Sequence, residues 1–249
     1  MNDYSWVPRV FAALDPHIAN LLKNRNLSLL KVNIACRTLT SEEALGDPGR
    51  DDFPLQKGKE KLMQAEIAGF AGQAFTDCPG NFAGTVENIL KLPPVNNFNR
   101  AAVVASLNAL LRSINKIEGT IHCKDSGPRL CSSYLVEEIS GRYGRPKIAM
   151  VGLQPAMAEA LSAVFSLRIV DLDQQNKEKR FNDTLVETEG YSVSELEKWC
   201  DLLLVTGSTI INGTIDQFLE LKKPVIFFGT TIAGPARLLG LNHFCPLGI

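Results

Sequence analysis

The chain has 249 residues, of which 45% are hydrophobic and 21% are charged, a balance that excludes a disordered chain. The formal net charge of −1 provides no overall positive field, so we expect neither a nucleic acid nor a membrane as partner. Six cysteines in this length are too sparse for a disulfide-stabilised secreted scaffold.

The N-terminal segment does not resemble a signal peptide, because Asp3, Pro8 and Arg9 interrupt its apolar residues. The longest apolar run, 101–111, is about half as long as a bilayer-spanning helix. We therefore expect a cytoplasmic protein.

Residues 1–144 are predicted to form an α+β domain. Apolar residues at helical spacing predict a helix over 7–22, and an apolar run predicts a strand over 29–35. The segment 42–61 holds ten charges in twenty positions, which is typical of a mobile, solvated connection. A second, broken strand is predicted over 67–75. Helices are predicted over 84–90, 99–114 and 128–140.

Residues 145–249 are predicted to form a Rossmann-like α/β domain with a parallel sheet. Short, continuously apolar runs alternate here with helical segments, which is the pattern of parallel strands covered on both faces. The charged stretch 173–183 is expected to be a loop or a surface helix. The predicted strands are 147–152, 167–171, 201–206 and 224–229. The predicted helices are 155–165, 214–221 and 235–239, the second with Thr214 and Gln217 spaced like a capping box.

The loops that follow parallel strands gather at one edge of the sheet, where ligands bind. Two of them, 206–214 and 229–234, are rich in Gly, Ser and Thr, whose N–H and hydroxyl groups suit an anionic ligand. Ordinary turn and capping chemistry is the alternative explanation. The predicted ligand-binding residues of this edge are Gly152, Asp171, Thr206, Gly207, Ser208, Thr209, Asn212, Gly213, Thr214, Gly229 and Thr230.

Asp171 ends a predicted strand nineteen residues after Gly152, near the offset at which an acidic residue meets a ribose hydroxyl. The loop after the first strand reads GLQPAM and lacks the GxGxxG pattern of dinucleotide sites. The sequence is therefore compatible with a nucleoside such as S-adenosylmethionine, and equally with Asp171 as an ordinary strand-end residue.

Three polar residues of the first half are further candidates. Asn108 interrupts an apolar helix, so it either faces the cleft between the domains or satisfies the carbonyl of a neighbouring loop. Asp77 and Glu87 are candidate catalytic acids or bases. A solvated first helical turn is the alternative for Glu87.

His122, Cys123 and Cys131 gather candidate metal ligands in a short stretch, and Cys78 lies in another polar loop. Thiolate and imidazole donors bind zinc or iron. The spacing matches no finger or ferredoxin pattern, so a buried cysteine and a hydrogen-bonded loop histidine remain the alternative. The other cysteines, Cys36, Cys200 and Cys245, lie in apolar runs and are expected in the core.

Four segments resemble a prokaryotic family named for heavy-metal chelation and long described as a domain of unknown function: 72–77, 106–110, 120–125 and, most specifically, TGSTIINGT at 206–214. This resemblance implies a domain like the N-terminal part of enolase, followed by a Rossmann-like domain, with the active site between them. It also implies a role in making or handling a pterin-, flavin- or chelator-like molecule.

Two functions follow as hypotheses. The first is an enzyme that acts on a small anionic or heterocyclic metabolite in the cleft. The second is a protein that binds a metal or a metal chelate without turnover. A homodimer is compatible with either.

Overall fold

The computed structural model describes residues 7–35, 46–47, 49 and 60–249, so most of the charged segment 42–61 lies outside the described residues. The described chain is mixed α/β, with two sheets. The helices are α1 (Arg9–Leu22), α2 (Arg25–Ser28), α3 (Val86–Leu90), α4 (Asn97–Ser113), α5 (Gly127–Tyr143), α6 (Pro155–Ser162), α7 (Val193–Trp199), α8 (Thr209–Asn212), α9 (Asp216–Leu219) and α10 (Ala233–Leu239). The strands are β1 (Lys31–Ala35), β2 (Lys61–Ile67), β3 (Phe70–Thr76), β4 (Phe82–Thr85), β5 (Ile148–Val151), β6 (Leu167–Val170), β7 (Arg180–Phe181), β8 (Thr184–Glu187), β9 (Leu202–Thr206), β10 (Val225–Phe228) and β11 (His243–Phe244).

The smaller sheet is antiparallel, with the strand order β3-β2-β1-β4. The broken strand predicted over 67–75 corresponds mainly to β3, but its interruption is the turn of a hairpin at Ala68 and Gly69, and the other strand of that hairpin, β2, was not predicted. Both turn residues have positive φ, 52° and 81°, as the twist of a tight hairpin requires. Strand β4 was not predicted from the sequence either.

The larger sheet has the order β11-β10-β9-β5-β6-β8-β7, and every pair is parallel except β7 with β8. Its strand order reverses between β5 and β9, because the chain builds outward from β5 through β6 to β8 and then crosses to β9. The four strands predicted from the sequence are confirmed as β5, β6, β9 and β10. The short strands β7, β8 and β11 were missed.

Both faces of the larger sheet are buried. On one face, Leu203 and Val205 join a hydrophobic core that also contains α4 and the inner face of the smaller sheet. On the other, Leu202 and Leu204 pack with α5 and α6. Since successive strand residues point to opposite faces, this explains why the strands are continuously apolar.

Helix α4 is buried on all sides over residues 100–111, as expected of a helix enclosed by other elements. It packs against β2, β3 and α10. A Cβ on Gly72 would lie 2.2 Å from the backbone nitrogen of Ala109, so the absence of a side chain lets β3 lie directly on this helix.

The predicted helix over 214–221 is shorter, and its capping box is wrong. Helix α9 begins at Asp216, while the Thr214 hydroxyl donates to Asn212 Oδ1 at 2.7 Å. The Asp216 carboxylate accepts from the backbone nitrogens of Arg9 at 2.5 Å and of Val10 at 2.9 Å, which ties the start of α1 to α9. None of the helices in the described part of the chain is long and apolar enough to cross a bilayer.

Candidate functional site

A cavity of about 580 Å³ lies at the carboxyl end of the larger sheet. The loops after β5, β6, β9 and β10 line it, together with the end of β3 and the loop before α5. It therefore occupies the edge at which ligands bind in open parallel sheets, next to the reversal of strand order. Its volume is in the range of small-molecule sites.

Gly152 and Thr206 form the centre of this edge. Gly152 follows β5 with φ +87°, and a Cβ there would lie 2.4 Å from Thr206 Cγ2, at the end of β9. A side chain at position 152 would therefore meet both backbone strain and a steric clash. Glycine allows the two neighbouring loops to approach each other at the cavity.

The Asp171 carboxylate is held by three hydrogen bonds. Oδ2 accepts from the backbone nitrogen of Leu153 at 2.6 Å, and Oδ1 accepts from the backbone nitrogen of Asp173 at 2.8 Å and from Asn176 Nδ2 at 3.0 Å. These bonds join the loops after β5 and β6. Asp171 lines the cavity, but most of its acceptor capacity is already used within the protein.

Glu60 also lines the cavity, although the sequence pattern assigned it to a bland charged connection. Its carboxyl makes no hydrogen bond or ion pair with any residue that the structure describes. Burial is the largest cause that raises the pKa of Glu60 to about 7. The negative charges of Asp171, Asp173 and Asp77 add to this rise. Glu60 therefore exchanges its proton near neutral pH.

Asp77 also lines the cavity, directly after β3, and is linked through Asn97 to the buried Arg100. Its Oδ1 accepts from Asn97 Nδ2 at 2.6 Å, and Asn97 Oδ1 accepts in turn from the guanidinium of Arg100. Arg100 also donates to the carbonyl of Ile211 at 2.6 Å. Burial lowers the pKa of Arg100 and the charge of Asp77 raises it. Asp77 is thereby positioned at the cavity and partly neutralised.

The loop 206–214 lines the cavity through Thr206, Gly207, Ser208, Thr209, Asn212 and Thr214. Several of its polar groups satisfy one another: Thr209 Oγ1 donates to the Thr206 carbonyl at 2.8 Å, and Asn212 Oδ1 accepts from Thr214. The hydroxyl of Ser208 has no partner among the described residues, so it remains available to a ligand.

Three glycine N–H groups at this edge already donate to acceptors within the protein. The nitrogens of Gly152, Gly207 and Gly229 each donate to a neighbouring strand or loop end, at 2.9, 2.9 and 3.2 Å. These three N–H groups are therefore occupied by hydrogen bonds to neighbouring strands.

His122 lines the cavity with a defined tautomer. Its Nδ1 lies 2.6 Å from the carbonyl oxygen of Cys123, and because a carbonyl can only accept, Nδ1 carries the hydrogen. Nε2 therefore keeps a lone pair. Burial lowers the pKa of His122, against the smaller effect of this hydrogen bond, so the ring is neutral. It also packs edge-on against Phe75.

Cys123 and Cys131 line the same region of the cavity, as does Cys245, which we expected in the core. Two backbone hydrogen bonds of 2.9 Å between Ile121 and Ile249 bring the C-terminal segment beside this loop. Burial raises the pKa of the Cys123 thiol to about 11 and that of Cys245 to about 12, and it raises the pKa of Cys131 as well. All three are neutral thiols.

The structure places only three of the four predicted metal ligands at the cavity. Cys78 is exposed and does not line the cavity that holds His122, Cys123 and Cys131. Over the described ranges, no three His, Cys, Asp or Glu side chains are arranged so that they could hold a metal ion. Cys200 is buried, as expected, while Cys36 lies outside the described residues.

Four other predicted site residues do not line the cavity. Glu87 forms an ion pair of 2.6 Å with Lys91, four residues along α3. This favours the alternative for Glu87, a solvated residue of the first helical turn, over a catalytic acid or base. Gly213 ends α8 with φ +82°, and Thr230 is fully buried behind the loop after β10.

Asn108 is the fourth of these residues, and its buried amide is satisfied by the protein. Nδ2 donates to the carbonyls of Gln73, Thr230 and Thr231, and Oδ1 accepts from the nitrogen of Gly234 at 2.7 Å. Of the two alternatives for Asn108, the structure shows the loop-carbonyl bond. The amide joins β3, α4 and the loop after β10.

Sequence reasoning missed several residues of the cavity. Glu60 was hidden in a charged run, and Cys245 and the aromatic residues Phe75, Phe218, Phe228 and Phe244 were assigned to core patterns. Tyr191 had no local signal, whereas Asp173 was predicted at this edge only as part of the loop that follows the strand 167–171.

The fold and the cavity define a class: an α/β protein with a cavity at the carboxyl edge of a mostly parallel sheet. Residues 136–236, fewer than half of the chain, match the model of the DUF364 family, whose printed description is "Putative heavy-metal chelation". Comparison with curated proteins found no match.

Two solved structures are similar to the chain. A protein of unknown function from the DUF364 family of Desulfitobacterium hafniense has a TM-score of 0.55 and 11% sequence identity, over 93% of this chain and 83% of that one. A DUF364 protein of unknown function from Pyrococcus horikoshii has a TM-score of 0.48 and 14% identity, over 89% and 79% of the two chains. The first likeness shows a shared fold.

Proposed function

We propose that this protein is an enzyme that binds a small heterocyclic, nucleoside-like metabolite in the cavity at the carboxyl edge of the larger sheet. The observation that carries the proposal is the position of that cavity, at the reversal of strand order between β5 and β9 and against the loop 206–214. A cavity of about 580 Å³ can hold a nucleoside.

We further propose the finer fold description and family membership. The parallel strands have the order of a Rossmann-like sheet when β5 is counted as the first, which supports a Rossmann-like domain over 145–249 behind an enolase-N-like cap over 1–144. The match over 136–236 and the shared fold with the Desulfitobacterium protein support membership of the family. On this proposal, chelation of a metal belongs to the chemistry of the ligand.

The chemistry that the residues support is proton transfer. Glu60 has a pKa of about 7 and reaches the cavity, so it can act as either acid or base at neutral pH. His122 holds a neutral ring whose Nε2 accepts a hydrogen bond. Ser208 supplies a free hydroxyl. In this scheme Glu60 replaces Glu87 as a catalytic candidate, and Asp77, which was predicted as a catalytic acid or base, is given a positioning role through its bond to Asn97.

Binding is tested by thermal shift and calorimetry with adenosine, S-adenosylmethionine, NAD, a flavin and a pterin. A ligand at a hundred times its Kd stabilises by about 2.7 kcal/mol, or roughly 5–10 °C in Tm for a chain of this size. Ser208→Phe fills the cavity and should abolish the shift. Ser140→Phe, the same substitution at an exposed site outside the cavity, should leave it unchanged. No stabilisation by any member of the panel would count against the proposal.

A further inference from the structure

The cavity extends along the carboxyl edge of the larger sheet. Asp171 follows β6 and Tyr191 follows β8, whereas Phe244 is the last residue of β11, and all three line the cavity. In the strand order, four spacings separate β6 from β11. At about 4.8 Å for each spacing, the two ends of the cavity lie roughly 19 Å apart. A purine nucleoside is shorter than this, so it leaves part of the cavity to a further group.

The end of the cavity beside β6 and its middle offer polar groups to a ligand. Asp171, Glu60 and Ser208 line it there. Glu60 lies close enough to Asp171 that the charge of Asp171 helps to raise the pKa of Glu60. Carboxyl and hydroxyl groups suit the hydroxyls of a ribose and the ring nitrogens of a heterocycle. These groups therefore suit the nucleoside part of a ligand.

The opposite end of the cavity, beside β10 and β11, is lined by sulfur atoms and aromatic rings. Cys131 and Met157 belong to the same hydrophobic core as Phe228, and Phe244 packs against that core. We call this group the sulfur-lined end, and its members are Cys123, Cys131, Met157, Phe228, Phe244 and Cys245.

The thiols of the sulfur-lined end are uncharged and close to one another. Burial is the largest cause that raises the pKa of Cys123 to about 11 and that of Cys245 to about 12. Burial also raises the pKa of Cys131, and the nearby Cys245 and Cys123 add to this rise. His122, next to Cys123, is neutral as well, because burial lowers its pKa. Since a neutral thiol behaves as a small apolar group, this end presents an uncharged, mainly apolar surface.

Backbone hydrogen bonds hold the two segments that form the sulfur-lined end. Ile121 and Ile249 exchange two hydrogen bonds of 2.9 Å, which join the loop before Cys123 to the segment after Cys245. Arg112 strengthens this junction, since it donates to Thr120 Oγ1 at 3.1 Å and to the carbonyl of Ile249. A surface that is already formed loses less conformational entropy when a ligand binds.

We infer that the ligand of this cavity has two parts: a nucleoside-like heterocycle at the polar groups, and an uncharged apolar arm, such as an alkyl thioether, in the sulfur-lined end. The inference rests on the proposed function and specifies its substrate class. Contact with the thiols, Met157 and two aromatic rings removes the arm from water, which stabilises the complex in proportion to the apolar area buried. A charged arm would have to give up its hydration at the same surface, which is unfavourable.

A series of neutral adenosine derivatives tests the arm. Calorimetry compares adenosine with 5′-deoxyadenosines that carry a 5′-methylthio, a 5′-ethylthio or a 5′-propylthio group. Affinity should rise about fourfold for each methylene that the arm gains, which is the effect of burying one CH₂ group. The derivatives with a 5′-(2-aminoethylthio) or a 5′-(carboxymethylthio) group have charged arms of similar length. They should bind about tenfold or more weakly than the propylthio derivative.

A matched pair of variants tests where the arm lies. Cys245→Phe fills the sulfur-lined end at a residue outside the helices and strands, so it should remove the gain from the arm while adenosine still binds. Cys78→Phe, the same substitution at an exposed position outside the cavity, should retain the gain. Alkylation of the unaltered protein is a second measurement, and it decides if Cys245→Phe binds no nucleoside. At saturation, the propylthio derivative should slow the alkylation of Cys245 several-fold more than adenosine does, and neither should protect Cys78.

The possible failures are distinguishable. Equal affinities across the neutral series, an undiminished gain in Cys245→Phe, or equal protection of Cys245 by adenosine and the propylthio derivative would overturn the apolar arm and leave the nucleoside function intact. Failure of every probe to bind would overturn the nucleoside function and this inference with it.

Discussion

Gly152 and Thr206 are in contact at the point where the strand order of the larger sheet reverses, and a Cβ on Gly152 would lie only 2.4 Å from Thr206 Cγ2. The approach is part of the wall of the cavity, since both residues line it. The first prediction concerns this contact.

Gly152→Ala should lower the free energy of unfolding by roughly 2–4 kcal/mol, because a positive φ and a steric clash act together. Gly190→Ala is the matched control: Gly190 also has a positive φ, +74°, but nothing lies within 4 Å of its Cβ position. The control substitution should lower the free energy of unfolding by only about 1–2 kcal/mol. Urea denaturation measures both, and equal losses would show that the contact with Thr206 has no effect.

Asn108→Ala should destabilise the protein by roughly 3 kcal/mol or more, because it leaves three carbonyls and the nitrogen of Gly234 without a buried partner. Ser106 lies two residues earlier on α4, equally buried, and its hydroxyl has no partner. Ser106→Ala should therefore be neutral or stabilising. A loss for Ser106→Ala as large as that for Asn108→Ala would contradict this account.

Glu60→Gln should change how stability depends on pH. A carboxyl whose pKa rises from 4.5 to about 7 on folding holds its proton more tightly in the folded chain. Its destabilising effect is thus absent below pH 4.5, grows between pH 4.5 and 7 and is complete above pH 7. The free energy of unfolding of the variant should exceed that of the parent protein by roughly 1–3 kcal/mol at pH 8 and equal it at pH 4.

Chemical denaturation from pH 4 to pH 8 measures the free energy of unfolding of both proteins. The difference between them reports the contribution of Glu60 alone, because the other carboxyls titrate in both proteins. A flat difference for Glu60→Gln would show that the environment of Glu60 is not the one described.

Native alkylation should distinguish the cysteines. Cys78 is exposed, whereas burial raises the pKa of Cys123 from 9.0 to about 11. The thiolate fraction of Cys123 is then about a hundredfold lower than that of an ordinary thiol, and its access is restricted as well. Peptide mapping after iodoacetamide treatment at pH 8 should find Cys78 modified first. In denaturant the two rates should converge, and faster labelling of Cys123 in the native protein would refute the prediction.

The elements that could be predicted are those with a strong local pattern. The strands β5, β6, β9 and β10 were recognisable because strands buried on both faces are continuously apolar. Helix α4 was recognisable by its length. Strands β7 and β8, with the sequences RF and TLVE, have too few residues for a period to show.

The candidate site could be predicted only in part, for the same reason. Residues directly after recognised strands, such as Gly152, Asp171 and Thr206, were found because parallel strands place their loops at one edge. Asn108 was identified correctly as a polar residue in need of partners, but whether those partners are a ligand or backbone carbonyls depends on which loop packs against α4. Helical periodicity carries no information about that loop.

The sequence by itself determined the buried strands, the helix between the two sheets and the edge at which loops converge, because burial imposes a local pattern on the residues that experience it. Only the tertiary structure decided the charge and contents of the cavity. Glu60, Tyr191 and Cys245 are far apart along the chain and reach the same cavity through folding. Burial and neighbouring charges, which raise the pKa of Glu60, exist only once those segments have packed together.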